Sequence, residues 1–350
     1  MNGQSITRAA KWYETHKDNY SKYCNDITEL VERLIKNAGI NYSSISGRVK
    51  QKTSFLEKCK KDKYSDISQI MDVVGIRVVT YVQKDVERIC NILEKEFSID
   101  KSNSINKKSE LKENEFGYLS VHYILSYNQT RKELPENNIY KDMSCEIQIR
   151  TLLQHSWAEI SHDNNYKFSG VLPTEINRKF YMIAGALELI DSQFQNIADE
   201  LEAYTQVIEE QIKNTNGKAD IPIDSSSLHE YLSSKLDVNI IEATFNGADK
   251  LIIEELKRFG INTIRELDNI FPLNYNKKTK EYKRYRNFLG SLRDFMIISD
   301  CSKYFDKSWD NSWDGISEDV IKFLESYGVN TTIIKNKVYI SHNISDDEDF

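Results

Sequence analysis

Lys50, Ser54 and Lys58 recur at intervals of four in the run Arg48-Val-Lys50-x-x-x-Ser54-x-x-x-Lys58. On a helix that spacing sets two ammonium groups and a hydroxyl along one stripe, with Arg48 just ahead of it. Cations gathered at a helix start make a cradle for a polyphosphate; a solvated lysine face is the plainer alternative. A second group follows in Asp72-Val-Val-Gly75-Ile-Arg77. Asp72 stands at the mouth of an apolar strand, a frequent place for a Mg²⁺ ligand in phosphoryl transfer. Gly75 leaves room for a ligand or a neighbouring backbone. Arg77, a charge in a run that reads as buried, needs a bound anion or a structural pairing with an aspartate.

Two alternating strands add to this. In Gly117-Tyr118-Leu-Ser120-Val-His122-Tyr123, the side chains of Tyr118, Ser120 and His122 share one face. An aromatic plate, a hydroxyl and an imidazole side by side suit a stacked base, although a half-exposed strand with ordinary polar residues fits as well. In Cys145-Glu146-Ile-Gln148-Ile-Arg150-Thr151, the apolar residues face inward and Glu146, Gln148 and Arg150 face outward. A carboxylate flanked by an amide and a guanidinium is a candidate metal ligand or general base, or one rung of an ion-pair ladder. A fifth set, His155, Glu159 and His162 or Asp163, falls on one helical face, but a zinc site would need a further ligand.

The elements that must carry these residues follow from apolar periodicity. A helix is expected over 6–38, closed by Gly39, then a short segment ending in Gly47, a helix over 48–61 and a strand over 73–82. A helix over 85–97 and strands over 116–127 and 143–150 come next, with polar loops at 98–115 and 128–142. Helices then cover 152–166 and 174–213. The stretch 214–227 reads as a linker, dividing a mixed α and β part, 1–213, from a mostly helical part, 228–350. Leu256-x-x-Phe-Gly260-Ile and Leu324-x-x-Tyr-Gly328-Val are read as two helix ends closed by glycine.

The whole chain of 350 residues carries a net charge of −7, which argues against nonspecific nucleic-acid binding. Seven Lys or Arg against two acids over 48–63 nevertheless form a basic island. Five scattered cysteines without a CxxC pair argue against a disulfide framework and a structural zinc site. No apolar run reaches the roughly 20 residues of a membrane span, and the expected location is the cytoplasm.

Taken in order, the runs RVKxxxSxxxK, DVVGIRVV, GYxSxHY, EIQIRT and WAEISHDNNYK resemble the synthetase domain of the RelA/SpoT family of alarmone synthetases, over about residues 20–170. The resemblance implies an α+β, nucleotidyltransferase-like fold, a mixed sheet with flanking helices. It also implies a Mg²⁺-dependent transfer of the β,γ-pyrophosphate of ATP to a ribose 3′-hydroxyl of GDP or GTP, making (p)ppGpp. Matched position by position, Arg48, Lys50, Ser54, Lys58 and Arg77 would bind ATP, and Asp72 would hold Mg²⁺. Tyr118 would stack on the acceptor guanine, with Ser120 and His122 nearby. Glu146 would serve the metal or activate the 3′-hydroxyl, and Gln148, Arg150, His162 and Lys167 would complete the pocket.

Two departures shape the expectation. Too little chain precedes Arg48 for the hydrolase domain of bifunctional family members, so no alarmone hydrolysis is expected. Before Tyr118 the chain has Lys112-Glu-Asn-Glu-Phe-Gly, with Glu113 and Glu115 in a region where a diphosphate acceptor needs cations and Leu119 in place of an arginine. These changes look similar to the toxic small synthetases, some of which modify the 3′-terminal adenosine of tRNA. The acceptor is thus a guanosine nucleotide or tRNA. The C-terminal region would act as inhibitor, sensor or docking site for a protein or phage trigger, and a homo-oligomer is open.

Overall fold

Apolar side chains at three- and four-residue steps make Gly3–Asn37 a helix, α1, and they divide its contacts in two. Ala9 and Tyr13 pack with Phe55, Cys59, Ile70 and Val73, whereas Tyr23, Cys24, Ile27, Val31 and Ile35 enter the core beneath a sheet. Gly39, at φ +64°, closes the helix where only glycine turns freely. The computed structural model describes residues 3–61, 66–106, 120–168, 173–237, 249–282, 287–311 and 313–341. Two compact units divide the chain at Asp199/Glu200.

In the first unit the elements after α1 run β1 (Tyr42–Val49), α2 (Lys52–Cys59), β2 (Val74–Thr80), α3 (Gln83–Glu96), β3 (Phe97–Asn106) and β4 (Val121–Tyr127). They continue with α4 (Gln129–Lys132), β5 (Cys145–Thr151), α5 (Leu152–Phe168) and the long helix α6 (Thr174–Thr215), of which the residues up to Asp199 belong to this unit. The five strands form a mixed sheet in the order β1-β2-β5-β4-β3. Only the β2–β5 pair is parallel. Val74, Ile76 and Val78, Cys145, Ile147 and Ile149, and Val121, Tyr123 and Leu125 alternate onto one face, where α1 and α3 bury them. The opposite face carries the polar positions between them.

Two expected assignments change. The predicted helix over 48–61 is only Lys52–Cys59, and residues 42–49 form β1. Arg48 therefore lies on a strand and Lys50 in the connection, so Lys50, Ser54 and Lys58 do not share one helical stripe. Tyr-Ser-Ser-Ile-Ser-Gly-Arg-Val is a polar edge strand with no apolar alternation to betray it. The predicted loop 98–115 begins as β3, whose pairing with β4 is interrupted between Asp100 and Ile105. There the Asp100 carboxylate accepts from the backbone of Ser102 and Asn103.

Gly47 shows how tightly β1 lies on α1. A Cβ there would overlap Thr28 Oγ1 and Cys24 Sγ, with Thr28 already tied to the Cys24 carbonyl at 2.6 Å. Gly47→Ala is expected to destabilise the fold by roughly 1–3 kcal/mol, read as a lower urea midpoint at unchanged slope.

The second unit is mostly helical, with a short parallel pair, Gly315–Ser317 with Tyr339–Ser341. Leu228, Tyr231, Leu256, Leu292, Phe295 and Phe323 lie at its core. The stretch 214–227, expected to be a linker, contributes buried Ala219, Ile221 and Ile223 to that core and bridges to Thr263 through Pro222. Gly260 (φ +89°) and Gly328 (φ +79°) close their helices as expected, with Ile261 and Val329 donating back to the Leu256 and Leu324 carbonyls. Glu255, fully buried, accepts from both Arg293 and Tyr304. No described helix is long and apolar enough to cross a membrane.

Candidate active site

Strand register turns the sequence motifs into rows across the open face of the sheet. Arg48 pairs with Gly75, and Gly75 with Glu146. One step along, Ser46 pairs with Arg77, Arg77 with Gln148, and Gln148 with His122. Side chains two apart on a strand share a face, so residues from four separate sequence motifs become neighbours. A cleft of about 590 Å³ lies over them, lined by Arg48, Lys50, Ser54, Asp72, Gly75, Arg77, Glu146 and Gln148.

Asp72 is the focus of its cationic side. Its Oδ2 receives Lys58 Nζ at 2.6 Å and Lys50 Nζ at 2.8 Å. Burial pushes this carboxyl upward, but the two ammonium groups outweigh that and hold it below the usual aspartate range. Lys50 is itself fixed through its backbone, whose carbonyl accepts from Tyr13 Oη at 2.7 Å and whose N–H donates to Val73 at 2.8 Å. The other oxygen, Asp72 Oδ1, is buried with no hydrogen-bond partner.

Glu146 is oriented from the next strand. Its Oε1 lies 3.2 Å from His122 Nδ1, and His122 Nε2 lies 2.8 Å from Ser120 Oγ. An ionised carboxylate only accepts, so Nδ1 carries the proton in this contact. The His122 hydrogen bond is the largest influence on Glu146 and holds its carboxyl below the usual range despite burial. Gln148 accepts from Arg150, which is 3% exposed. Arg77 pairs with Glu159 of α5 at 3.1 Å rather than with Asp72, and His155 lies 3.8 Å from the same carboxylate.

Arg48, Lys50, Ser54, Arg77, Gln148, Asp72 and Glu146 thus line one cleft, Lys58 is bonded into it through Asp72, and Ser120 and His122 reach it through Glu146. Arg150 joins it by donating to Gln148. Tyr118 lies outside the described residues. His162 and Lys167 fall on the backbone of α5, and their side chains lie outside the described set, as does that of Asp163. Sequence reasoning did not find Tyr13, Ser46 or the Glu159 partner of Arg77. Tyr13 and Glu159 reach the site from elements distant in the chain, and Ser46 lies on β1, a strand that its own composition does not mark.

The residues fit a divalent cation. A buried, unpartnered carboxylate oxygen is the kind of atom a metal satisfies. Among the described residues no group of three or more acids, histidines or cysteines could hold a metal alone. Mg²⁺ does not need one, since it binds through one or two carboxylates together with substrate phosphates. Asp72 and Glu146 are the candidates.

Residues 47–171 match the family described as "Region found in RelA / SpoT proteins". The segment is a RelA/SpoT region. The chain is 28% identical over 163 residues to GTP pyrophosphokinase YjbM of Bacillus subtilis (strain 168), covering 45% of this chain and 72% of that protein. It is 25% identical over 135 residues to GTP pyrophosphokinase YwaC of the same organism, covering 38% of this chain and 60% of YwaC. Small alarmone synthetase 1 from Bacillus subtilis is a structural neighbour at 25% identity and a TM-score of 0.47, over 55% of this chain and 98% of that one. The RelA/SpoT region holds the whole cleft lining except Ser46, and the chain is an enzyme of the pyrophosphokinase type.

Because the folded Asp72 carboxyl is depressed, its contribution to stability is present above its unfolded pKa, about 3.9, and is lost as pH falls through the lower folded value. In metal-free protein, wild type should exceed Asp72→Asn by roughly 1–3 kcal/mol near neutral pH. That difference should shrink toward zero below about pH 3.9, as read from urea midpoints across the pH range. A gap unchanged at pH 3 would rule out the ion pairs as its source.

Proposed function

We propose that the chain moves the β,γ-pyrophosphate of ATP onto the 3′-hydroxyl of a guanosine nucleotide, GDP or GTP. The observation that carries this reading is the single cleft in which Arg48, Lys50 and Arg77 face Asp72 and Glu146 across Gly75. A triphosphate needs concentrated positive charge, and Arg48, Lys50, Lys58 and Arg77 supply it with the Ser54 hydroxyl beside them. Nothing lies within 4 Å of where a Gly75 Cβ would be, so the sheet leaves open space beside the paired strands for the nucleotide.

In the reaction, the acceptor 3′-oxygen attacks the β-phosphorus of ATP. The bond from that phosphorus to the α–β bridging oxygen breaks, AMP leaves, and the hydroxyl proton passes to Glu146. The His122 hydrogen bond keeps Glu146 ionised and aimed, with Ser120 closing the relay behind it. A Mg²⁺ ion held by Asp72 and Glu146 would neutralise charge on the phosphates and fix their orientation. The lysines and arginines stabilise charge that shifts onto the departing oxygen, and Tyr118 would hold the acceptor base by stacking.

A second acceptor is favoured by one sequence feature. Glu113 and Glu115 would repel a 5′-diphosphate, whereas the 3′ end of tRNA presents a hydroxyl without one. Incubation with γ-³²P-ATP, Mg²⁺ and either GDP, GTP or deacylated tRNA decides between them. Label on GDP or GTP is the expected result. Label on tRNA alone would replace the acceptor while keeping the chemistry, and label on none would refute pyrophosphate transfer.

A further inference from the structure

Helix α2 carries Ser54 and Lys58, yet little in its own sequence holds it in place. It has eight residues, no acidic residue in its first turn and no side-chain bond from its N-cap residue Gln51. A helix that short is marginal without packing, and the packing comes from the N-terminal half of α1. Phe55, next to Ser54 and fully buried, stacks on Trp12 with ring centroids 5.6 Å apart and meets the Tyr13 ring at 5.4 Å. One turn on, Cys59 joins the same apolar cluster with Ala9.

Tyr13 adds a polar tie to this apolar one. Its hydroxyl donates to the Lys50 carbonyl at 2.7 Å, while the Lys50 N–H donates to the Val73 carbonyl at 2.8 Å. Burial, with Glu14 beside it, pushes Tyr13 above the usual phenol range, so the hydroxyl keeps the proton it donates. The Lys50 backbone is therefore held from both sides, by α1 and by the residue next to Asp72, before its Nζ reaches Asp72 Oδ2. Farther along, α1 enters the sheet core through Tyr23, Ile27 and Val31. One helix thus registers the phosphate cradle against the strands that carry Arg77 and Glu146. It does so from outside the RelA/SpoT region, which begins at residue 47. We propose that Tyr13 is a positioning residue for pyrophosphate transfer, setting Lys50 from α1 to receive the ATP phosphates. This inference rests on the ATP site proposed above.

Tyr13→Phe keeps the ring that packs on Phe55 and removes only the donor. Calorimetric titration with a nonhydrolysable ATP analogue should show Kd raised roughly three- to tenfold, the loss of one hydrogen bond's worth of positioning. KM for ATP should rise in step, with kcat falling by a smaller factor. A role in stability alone would lower the urea midpoint and leave Kd for the folded chain where it was, and that result would overturn the proposal. The effect must also run through Lys50. In a Lys50→Ala chain, adding Tyr13→Phe should lower kcat/KM for ATP by no more than about twofold. A further loss of full size there would show that Tyr13 acts elsewhere. A wild-type chain that does not bind the analogue would overturn the ATP site and this role with it.

Discussion

A Glu146→Gln chain is expected to transfer pyrophosphate about 10²–10⁴-fold more slowly than wild type while keeping its fold, the range typical of losing a general base. Glutamine preserves the size of the side chain and can still meet His122 through its amide oxygen, so the strand pairs of β5 with β2 and β4 should persist. What disappears is a negative charge able to take the 3′-hydroxyl proton and to meet a metal ion. ATP affinity should change far less than turnover, because the cations that grip the triphosphate come from β1, α2, β2 and the β1–α2 connection. Initial rates at saturating acceptor, with calorimetric titration of a nonhydrolysable ATP analogue, separate the two effects. Unchanged turnover would remove Glu146 from the chemistry.

Asp72→Asn should have an effect of similar size through a different route, with a loss on the order of 10²–10³-fold, comparable to removing one preorganised electrostatic partner. The substitution removes the counter-charge between Lys50 and Lys58, which then repel each other, and it weakens the best-placed metal ligand. The signature is a shift in metal dependence: the variant should need more Mg²⁺ to reach half of its own maximal rate. Glu146→Gln should depress the maximal rate at every Mg²⁺ concentration. An Asp72→Asn enzyme with wild-type Mg²⁺ dependence would show that Asp72 serves only to anchor the lysines.

Much of this site was legible in the sequence because strand alternation is a strict period of two. Once 74–80 and 145–151 are strands, Gly75 and Arg77 must share a face, as must Glu146 and Gln148, and apolar neighbours decide which face is buried. The ordered motifs then brought Asp72 and the basic run 48–58 into the same reading. Long-range facts were not legible. That Arg77 answers to Glu159, that Tyr13 pins the Lys50 carbonyl, and that His122 meets Glu146 all depend on register and helix placement, which no local pattern encodes. β1 escaped because both its faces are largely polar or exposed, so its partner strand rather than its own composition makes it a strand. β3 escaped for a similar reason, with a polar interruption at Asp100 that reads as loop.

The Asp72 clamp also changes how the pocket should respond to its ionic surroundings. Before any nucleotide arrives, the two ammonium groups already have a carboxylate between them, so an incoming triphosphate exchanges one anionic partner for another instead of meeting naked cations. An exchange of that kind is close to isocoulombic. ATP affinity should therefore fall less steeply with added potassium chloride than the number of lysines and arginines around the phosphates would suggest, and the empty pocket should hold stray anions weakly.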